Sequence, residues 1–208
     1  SYGEMRELSY AGFSVFHEEA LVPVYRKGIP VRIKNTNNPS APGTTIVHKR
    51  EKITRPVVGI AGDTGFCCIY ISKYLMNREI GFGRKILCIL EDEHLSYEHI
   101  PSGIDHMSII LRENQLDSAT EQRVIERIKR ELDVDDITVE HNMALIMVVG
   151  EGMQSTIGIA CRITGALAKA KVNIEIINQG SSEVSIMLGI KSDELQRGIN
   201  AIYDEFFK

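Results

Sequence analysis

Apolar residues recur at three-to-four spacing from the first residues of the chain: Met5, Leu8, Ala11 and Gly12, then Val15, Phe16, Ala20 and Leu21. This spacing predicts an opening helix. Pro23 falls within the pattern and Gly28-Ile29-Pro30 stops it, because proline lacks a donor and restricts its predecessor. Val31-Arg32-Ile33 alternates as a short strand. Residues 35–43 hold three asparagines, two prolines and a glycine, the chemistry of a loop. A strand beginning at Thr45 follows.

After a charged stretch at 48–55 the rhythm changes. Val57–Ile60 reads as a strand, Asp63-Thr64-Gly65 as a turn, and Phe66–Ser72 as a second alternating run. A helix is predicted from Gly81 to Glu93, strands near Tyr97–Ile100 and Met107–Arg112, a helix over Ala119–Leu132, and a strand over Ile137–Glu140. The order is βαββαβ. A second pass has a strand at Ala144–Val149, a helix at Ile159–Ala170, strands at Asn173–Asn178 and Val184–Ile190, and a last helix at Asp193–Phe206.

The two passes repeat at a fixed offset of about 77, a separation counted between matching residues. Met76 maps to Met153, Ile80 to Ile157, Gly81 to Gly158, Leu90 to Leu167, Glu98 to Glu175 and Gly103 to Gly180. Ser108, Ile109 and Leu111 map to Ser185, Ile186 and Leu188. The second pass lacks a closing strand, and an unpaired sheet edge is a liability. Val57–Ile60 is free to fill it, so the first copy is expected to be inserted within the second.

Composition narrows the class. With 208 residues and 43% hydrophobic positions the chain has ample material for a packed core. A net charge of −4 and a pI near 5.9 argue against a nucleic-acid partner. The longest apolar stretch, Met143–Gly150, is far short of a membrane span, and no signal pattern opens the chain. These features predict a cytoplasmic protein with no membrane contact. Ser1 without a preceding methionine, opening directly into a helix, suggests a piece of something larger. Cys67, Cys68, Cys88 and Cys161 form no C-x-x-C pair and the histidines no ligand spacing, so no metal is expected and the cysteines read as reduced core residues.

Each copy carries the same polar set. Gly81 and Gly158 stand where a loop enters a helix, whose N–H groups and dipole suit a carboxylate. Glu98 and Glu175 lie near the start of the following strand, where they suit an ammonium group. Small-residue turns follow, Ser102-Gly103 and Gly180-Ser181-Ser182. Together these form a receptor for a free α-amino acid; equally, the glycines serve close packing and the glutamates are solvated. No phosphate loop, dinucleotide fingerprint or nucleophile elbow is present, so no catalytic residue is assigned. Glu121, Arg123, Glu126, Arg127, Lys129 and Arg130 read as a solvated helix face.

Three segments carry a resemblance: Gly3–Phe13 (GEMRELSYAGF), Ile29–Pro39 with Pro42-Gly43-Thr44, and Asn173–Ser185. Together they resemble the C-terminal half of aspartate kinases, most of all the monofunctional lysine-sensitive type of bacilli and relatives, over essentially the whole chain. The resemblance implies an α+β fold of two ferredoxin-like ACT domains, the first inserted in the second, after a remnant of an α/β amino-acid-kinase domain. The implied boundaries are 1–50 for the remnant, 51–56 for a linker, 63–142 for the first ACT domain, and 57–62 plus 143–208 for the second.

The same resemblance implies a function. Aspartate kinases phosphorylate the β-carboxylate of L-aspartate with ATP and magnesium; this part would hold neither cofactor and would be inactive alone. It would bind a feedback effector, lysine in preference to threonine, on the first ACT domain. The implied contacts are Met76, Glu79, Gly81, Phe82 and Gly83 for the carboxylate, Glu98 flanked by Ser96 and Tyr97 for the amino group, and Ser102 and Gly103 in the turn. Glu175 and the turn Asn178-Gln179-Gly180-Ser181-Ser182 of the second domain would contribute across a homodimer. The implied partners are the amino acid, the kinase catalytic domain and a second copy. The alternative is a non-catalytic small subunit that mainly assembles the kinase.

Overall fold

A computed structural model describes residues 1–13, 15, 18–180 and 184–208. It divides into two compact units, Thr64–Ala144, and Ser1–Asp63 with Leu145–Lys208. The chain thus leaves one unit, builds the other, and returns.

The unit Thr64–Ala144 contains most of β3 (Gly59–Ser72), α3 (Phe82–Asp92), β4 (His106–Arg112), α4 (Ser118–Leu132) and the first part of β5 (Asp136–Val149). Its strands lie in the order β4-β3-β5. β3 and β4 are antiparallel, with Phe66 opposite Arg112 and Ser72 opposite His106. Alternation puts Cys67, Ile69 and Ile71 on one face of β3 and Ile109 and Leu111 on the same face of β4. These meet Phe82, Ile86, Ile89 and Leu90 of α3 and Val124, Ile128 and Leu132 of α4 in one buried cluster. The helical spacing of each set is that of a core-facing stripe.

Asp117 caps α4, its carboxylate accepting the Thr120 N–H at 2.8 Å. α3 stops where His94 turns left-handed and Leu95 N–H reaches back to the Leu90 carbonyl at 2.8 Å, the Schellman arrangement.

The second unit repeats this plan. The last residues of β5, β7 (Ser185–Lys191) and β6 (Ile176–Gln179) lie in the order β5-β7-β6. α5 (Ile159–Lys169) and α6 (Leu195–Phe207) pack together. The Val58 N–H donates to the Val149 carbonyl at 2.8 Å, and the start of β3 continues beside β5. Residues 57–63 therefore supply the strand that the second pass lacks. The fold is the expected pair of α+β ACT domains, one inserted in the other.

Residues 1–50 belong to this same unit. α1 (Tyr2–Tyr10), α2 (Val22–Arg26) and the antiparallel pair β1 (Val31–Ile33) and β2 (Thr44–Ile46) enclose a small cluster of Tyr2, Met5, Leu21 and Ile46.

Several sequence expectations need correction. The opening helix does not run to Leu21: α1 ends at Tyr10, Gly12 turns to φ +98°, and Phe13 N–H bonds the Leu8 carbonyl at 3.0 Å. This is again a Schellman stop, and a 3-10 turn, Glu18–Leu21, leads into α2. Phe16 lies outside the described residues. No turn interrupts 63–65, because ladder pairing carries β3 through Gly65 at φ +81°. Ile137–Glu140 and Ala144–Val149 likewise form one strand, β5. The strand at Tyr97–Ile100 is reduced to a bridge between His99 and Ile110.

The repeat also has a gap. Elements β3 and β5, and α3 and α5, are separated by 77 throughout, whereas β4 and β7 are separated by 79. Arg112 therefore corresponds to Lys191, and Ser108 does not correspond to Ser185. Of the cysteines, only Cys67 and Cys68 are core residues; Cys88 is half-buried and Cys161 exposed, and none of the four is in a disulfide.

Candidate functional site

The loop after β3 is built by local chemistry. Its 3-10 turn, Met76–Arg78, is entered through Leu75 in the left-handed region at φ +61°. Two carboxylates hold it: Asp135 accepts the Tyr74 N–H at 2.6 Å and Asp105 the Leu75 N–H at 2.9 Å. The Asn77 N–H donates to the Ile104 carbonyl at 3.1 Å. The loop is thereby joined to the turn containing Ser102 and Gly103, where Ser102 bridges Met107 and Gly103 N–H bonds the His106 carbonyl at 2.8 Å.

Gly81 enters α3 at φ +81°, a conformation that suits glycine, and no side chain caps the helix. The Phe82 N–H turns back to the Glu79 carbonyl at 3.3 Å, and the amides that follow it lie at the positive end of the helix dipole. Gly83 is open: a Cβ there would meet nothing nearer than the Met107 methyl at 3.8 Å. Met76 and Phe82 are buried in the core and hold the loop from below. Glu79 lies between Lys73 and Lys85, at 2.7 Å from each. Its hydrogen bond to Lys73, then that to Lys85, hold its carboxyl below the ordinary range.

The structure thus brings together Met76, Glu79, Gly81, Phe82, Gly83, Ser102 and Gly103. It does not bring Ser96, Tyr97 and Glu98 to them within one chain. Glu98 N–H bonds the Ile110 carbonyl at 2.8 Å, three residues beyond Met107 and so about 10 Å along the strand. Its carboxylate pairs with Arg112 Nε at 3.3 Å, and that guanidinium lies over Phe66. Ser96 is bound through its hydroxyl and amide to Gln115, and Tyr97 is exposed.

In the second unit Glu175 matches this arrangement, paired with Lys191 at 3.1 Å. Asn178 and Gln179 lie on β6 at the sheet edge, and Gly180 follows it; Ser181 and Ser182 lie outside the described residues.

Sequence reasoning passed over Asp105 and Asp135, the carboxylates that order the loop. Asp135 stands immediately before β5, where a polar residue at a strand entrance gives a faint signal. A cleft of about 510 Å3 in the other unit, lined by Tyr2, Arg6, Tyr25 and His48 among others, touches none of the effector contacts implied by the sequence. Among the described residues no group of three or more His, Cys, Asp or Glu side chains is arranged to hold a metal ion. No helix is long and apolar enough to cross a membrane.

The chain is similar to known proteins over its whole length. An ACT-domain family model matches residues 146–206. Aspartokinase 3 of Bacillus subtilis (strain 168) is 64% identical over 207 residues, covering 100% of this chain and 46% of that protein. A bifunctional aspartokinase/homoserine dehydrogenase of Arabidopsis thaliana is 31% identical over 217 residues, covering 100% of this chain and 24% of that protein. Among solved structures, the aspartate kinase of Clostridium acetobutylicum superposes with a TM-score of 0.90 at 46% identity, covering 99% of this chain and 47% of that one. E. coli aspartokinase III in complex with lysine and aspartate shares the fold, with a TM-score of 0.76 at 20% identity over 100% of this chain and 45% of that one. The chain therefore spans less than half the length of these relatives. Over its whole length it matches the regulatory ACT-domain region of aspartokinases.

Proposed function

We propose that this chain is the amino-acid-sensing part of an aspartate kinase, binding an end-product amino acid, lysine in preference to threonine, to inhibit the conversion of ATP and L-aspartate to 4-phospho-L-aspartate. The carrying observation is the joined loop and turn, 73–81 with 102–106, beneath a helix start that no side chain caps. The α-carboxylate takes the amides of Gly81 and Gly83, the Phe82 N–H between them being bonded to the Glu79 carbonyl at 3.3 Å. ATP and magnesium belong to the remainder of the longer relatives, and the setting is the cytoplasm.

The separation of Glu98 from that loop supports a homodimer. The segment 98–102 lies outside β4 at the sheet edge, and an edge recruits another strand. Antiparallel pairing of two copies centred on Ile100 sets Glu98 of one beside Ser102 of the other. The amino group is then held by the second copy's glutamate, and the site forms at an isologous interface. Ligand binding and interface packing are linked, and coupling of about 1–3 kcal/mol suffices for feedback control.

Thermal melting with lysine, threonine, methionine and aspartate in turn tests this. A ligand at about 100 times its Kd adds about 2.7 kcal/mol, a rise of roughly 5–10 °C for a unit of this size. Lysine is expected to give the largest rise, and Glu98→Ala to remove it. An unchanged rise in that variant takes Glu98 out of the site. Flat melts with all four amino acids favour the assembly-only small subunit, a reading to which the shared fold of the separately solved Thermus flavus regulatory subunit, 19% identical, also fits.

A further inference from the structure

The internal repeat makes each backbone contact in one ACT copy a control for its counterpart in the other. In the first copy the Lys73 N–H bonds the Asp105 carbonyl at 2.9 Å; in the second the Gly150 N–H bonds Val184 at 2.8 Å. The Asp135 N–H bonds the Ser72 carbonyl at 2.9 Å; Val58 N–H bonds Val149 at 2.8 Å. Met76 N–H reaches Lys73 and Met153 N–H reaches Gly150, at 3.1 and 3.0 Å. The loops are therefore equivalent position by position, and Val58 stands where the first copy has Asp135.

That difference removes a carboxylate. In the first copy Asp135 accepts the Tyr74 N–H. The equivalent amide of the second copy is that of Glu151, and it donates at 2.9 Å to Glu4 Oε1 on α1. Glu4 is 3% exposed. It also accepts from Arg50 at 2.9 Å, while the Ser1 hydroxyl donates to Glu151 at 2.5 Å. The same loop is clasped on another side: a Cβ at Gly150 would lie 2.0 Å from the Pro56 carbonyl oxygen, and one at Gly152 2.8 Å from that of Arg55. The Glu151 amide and side chain and the backbone at Gly150 and Gly152 each meet residues before 57.

We propose that Glu4 is the internal ligand of the second ACT copy, a positioning residue that supplies from α1 the carboxylate Asp135 provides in the first. The second copy's loop is a socket for the N-terminal segment and not a receptor for a free amino acid. Loop order and α1 docking are one equilibrium, and a disturbance of either loosens the other.

Hydrogen exchange followed by mass spectrometry on the whole chain tests this, with Glu4→Ala and, as the milder variant that keeps an acceptor, Glu4→Gln. Loss of a hydrogen bond to a buried charge is expected to speed local exchange by roughly tenfold or more. Both segments 2–13 and 150–156 should speed up in Glu4→Ala, and by less in Glu4→Gln, with 73–79 unchanged. Asp135→Ala should do the reverse, loosening 73–79 and sparing 150–156. Protection of 150–156 unchanged in Glu4→Ala overturns the proposal, as does equal loosening of both loops, which marks general destabilisation. These outcomes do not depend on whether the first copy binds lysine, which the melting experiment reads separately.

Discussion

Cys67 lies on the helix-facing side of β3 with no exposed surface, while Cys161 sits in solvent on α5. Burial, followed by the nearby charge of Glu113 and then Cys68 and Glu121, pushes the Cys67 thiol up to about 12. The thiolate is the reactive form. Alkylation near pH 8 is therefore expected to label Cys161 in the native protein and leave Cys67 unlabelled until unfolding. Comparable labelling of both would contradict the placement of Cys67.

Which two cysteines enter the core was not legible from their spacing. Cys67, Cys88 and Cys161 all fall among apolar neighbours, and exposure is settled by the neighbouring element. Glu98 was legible as a notable strand residue. Its pairing with Arg112 depended on a partner 14 positions away whose register only the ladder sets.

At the scale of elements, α3 shows why the amphipathic helices were the clearest prediction: Phe82, Ile86, Ile89 and Leu90 recur on one face, and all are buried. Ile86 has no exposed surface, so Ile86→Ala is expected to cost about 2–5 kcal/mol in urea unfolding. A loss under about 1 kcal/mol would mean that the cluster around α3 collapses to fill the space. Gly150→Ala tests a feature no periodicity reveals. Its Cβ would overlap the Pro56 backbone, so forced displacement is expected to cost about 1–3 kcal/mol or more. Turn chemistry misled at Asp63-Thr64-Gly65, because three local preferences are weak against strand pairing on both sides. At Gly12 it was underweighted, and there the glycine does end a helix.

At the scale of the whole molecule, carboxylates dominate the expected pH response. Glu79, Glu93, Glu131 and Glu205 are held below their ordinary range first by hydrogen bonds to Lys73, Arg123, Arg127 and Arg162, and Asp117 by the Thr120 amide. A lowered folded value means that the unfolded chain takes up protons first. The stabilisation is thus complete above the unfolded carboxylate pKa near ~4.3 and is lost as pH falls through the folded values. The melting temperature should be level from about pH 5 to 7 on this account and fall below about pH 4.5. A rise on acidification would show that these pairings contribute nothing in solution, as exposed ion pairs sometimes do not.

Taken by itself, the order of apolar positions determined the core-facing helices α3 to α6, the duplication, and the need for a borrowed closing strand, because periodicity and strand count are properties of the chain read in one dimension. The positions of the helix-entry glycines and of Glu98 and Glu175 were determined there as well. Tertiary structure decided which carboxylate meets which amide. Glu4 and Glu151 stand 147 residues apart, and no local propensity links them; only the return of the chain to finish the second copy brings α1 to that loop. Asp135 reaches Tyr74 across 61 residues for the same reason. Hydrogen bonds of that kind answer to three-dimensional proximity and burial, so two copies with the same elements at the same spacing end with different groups in the same place.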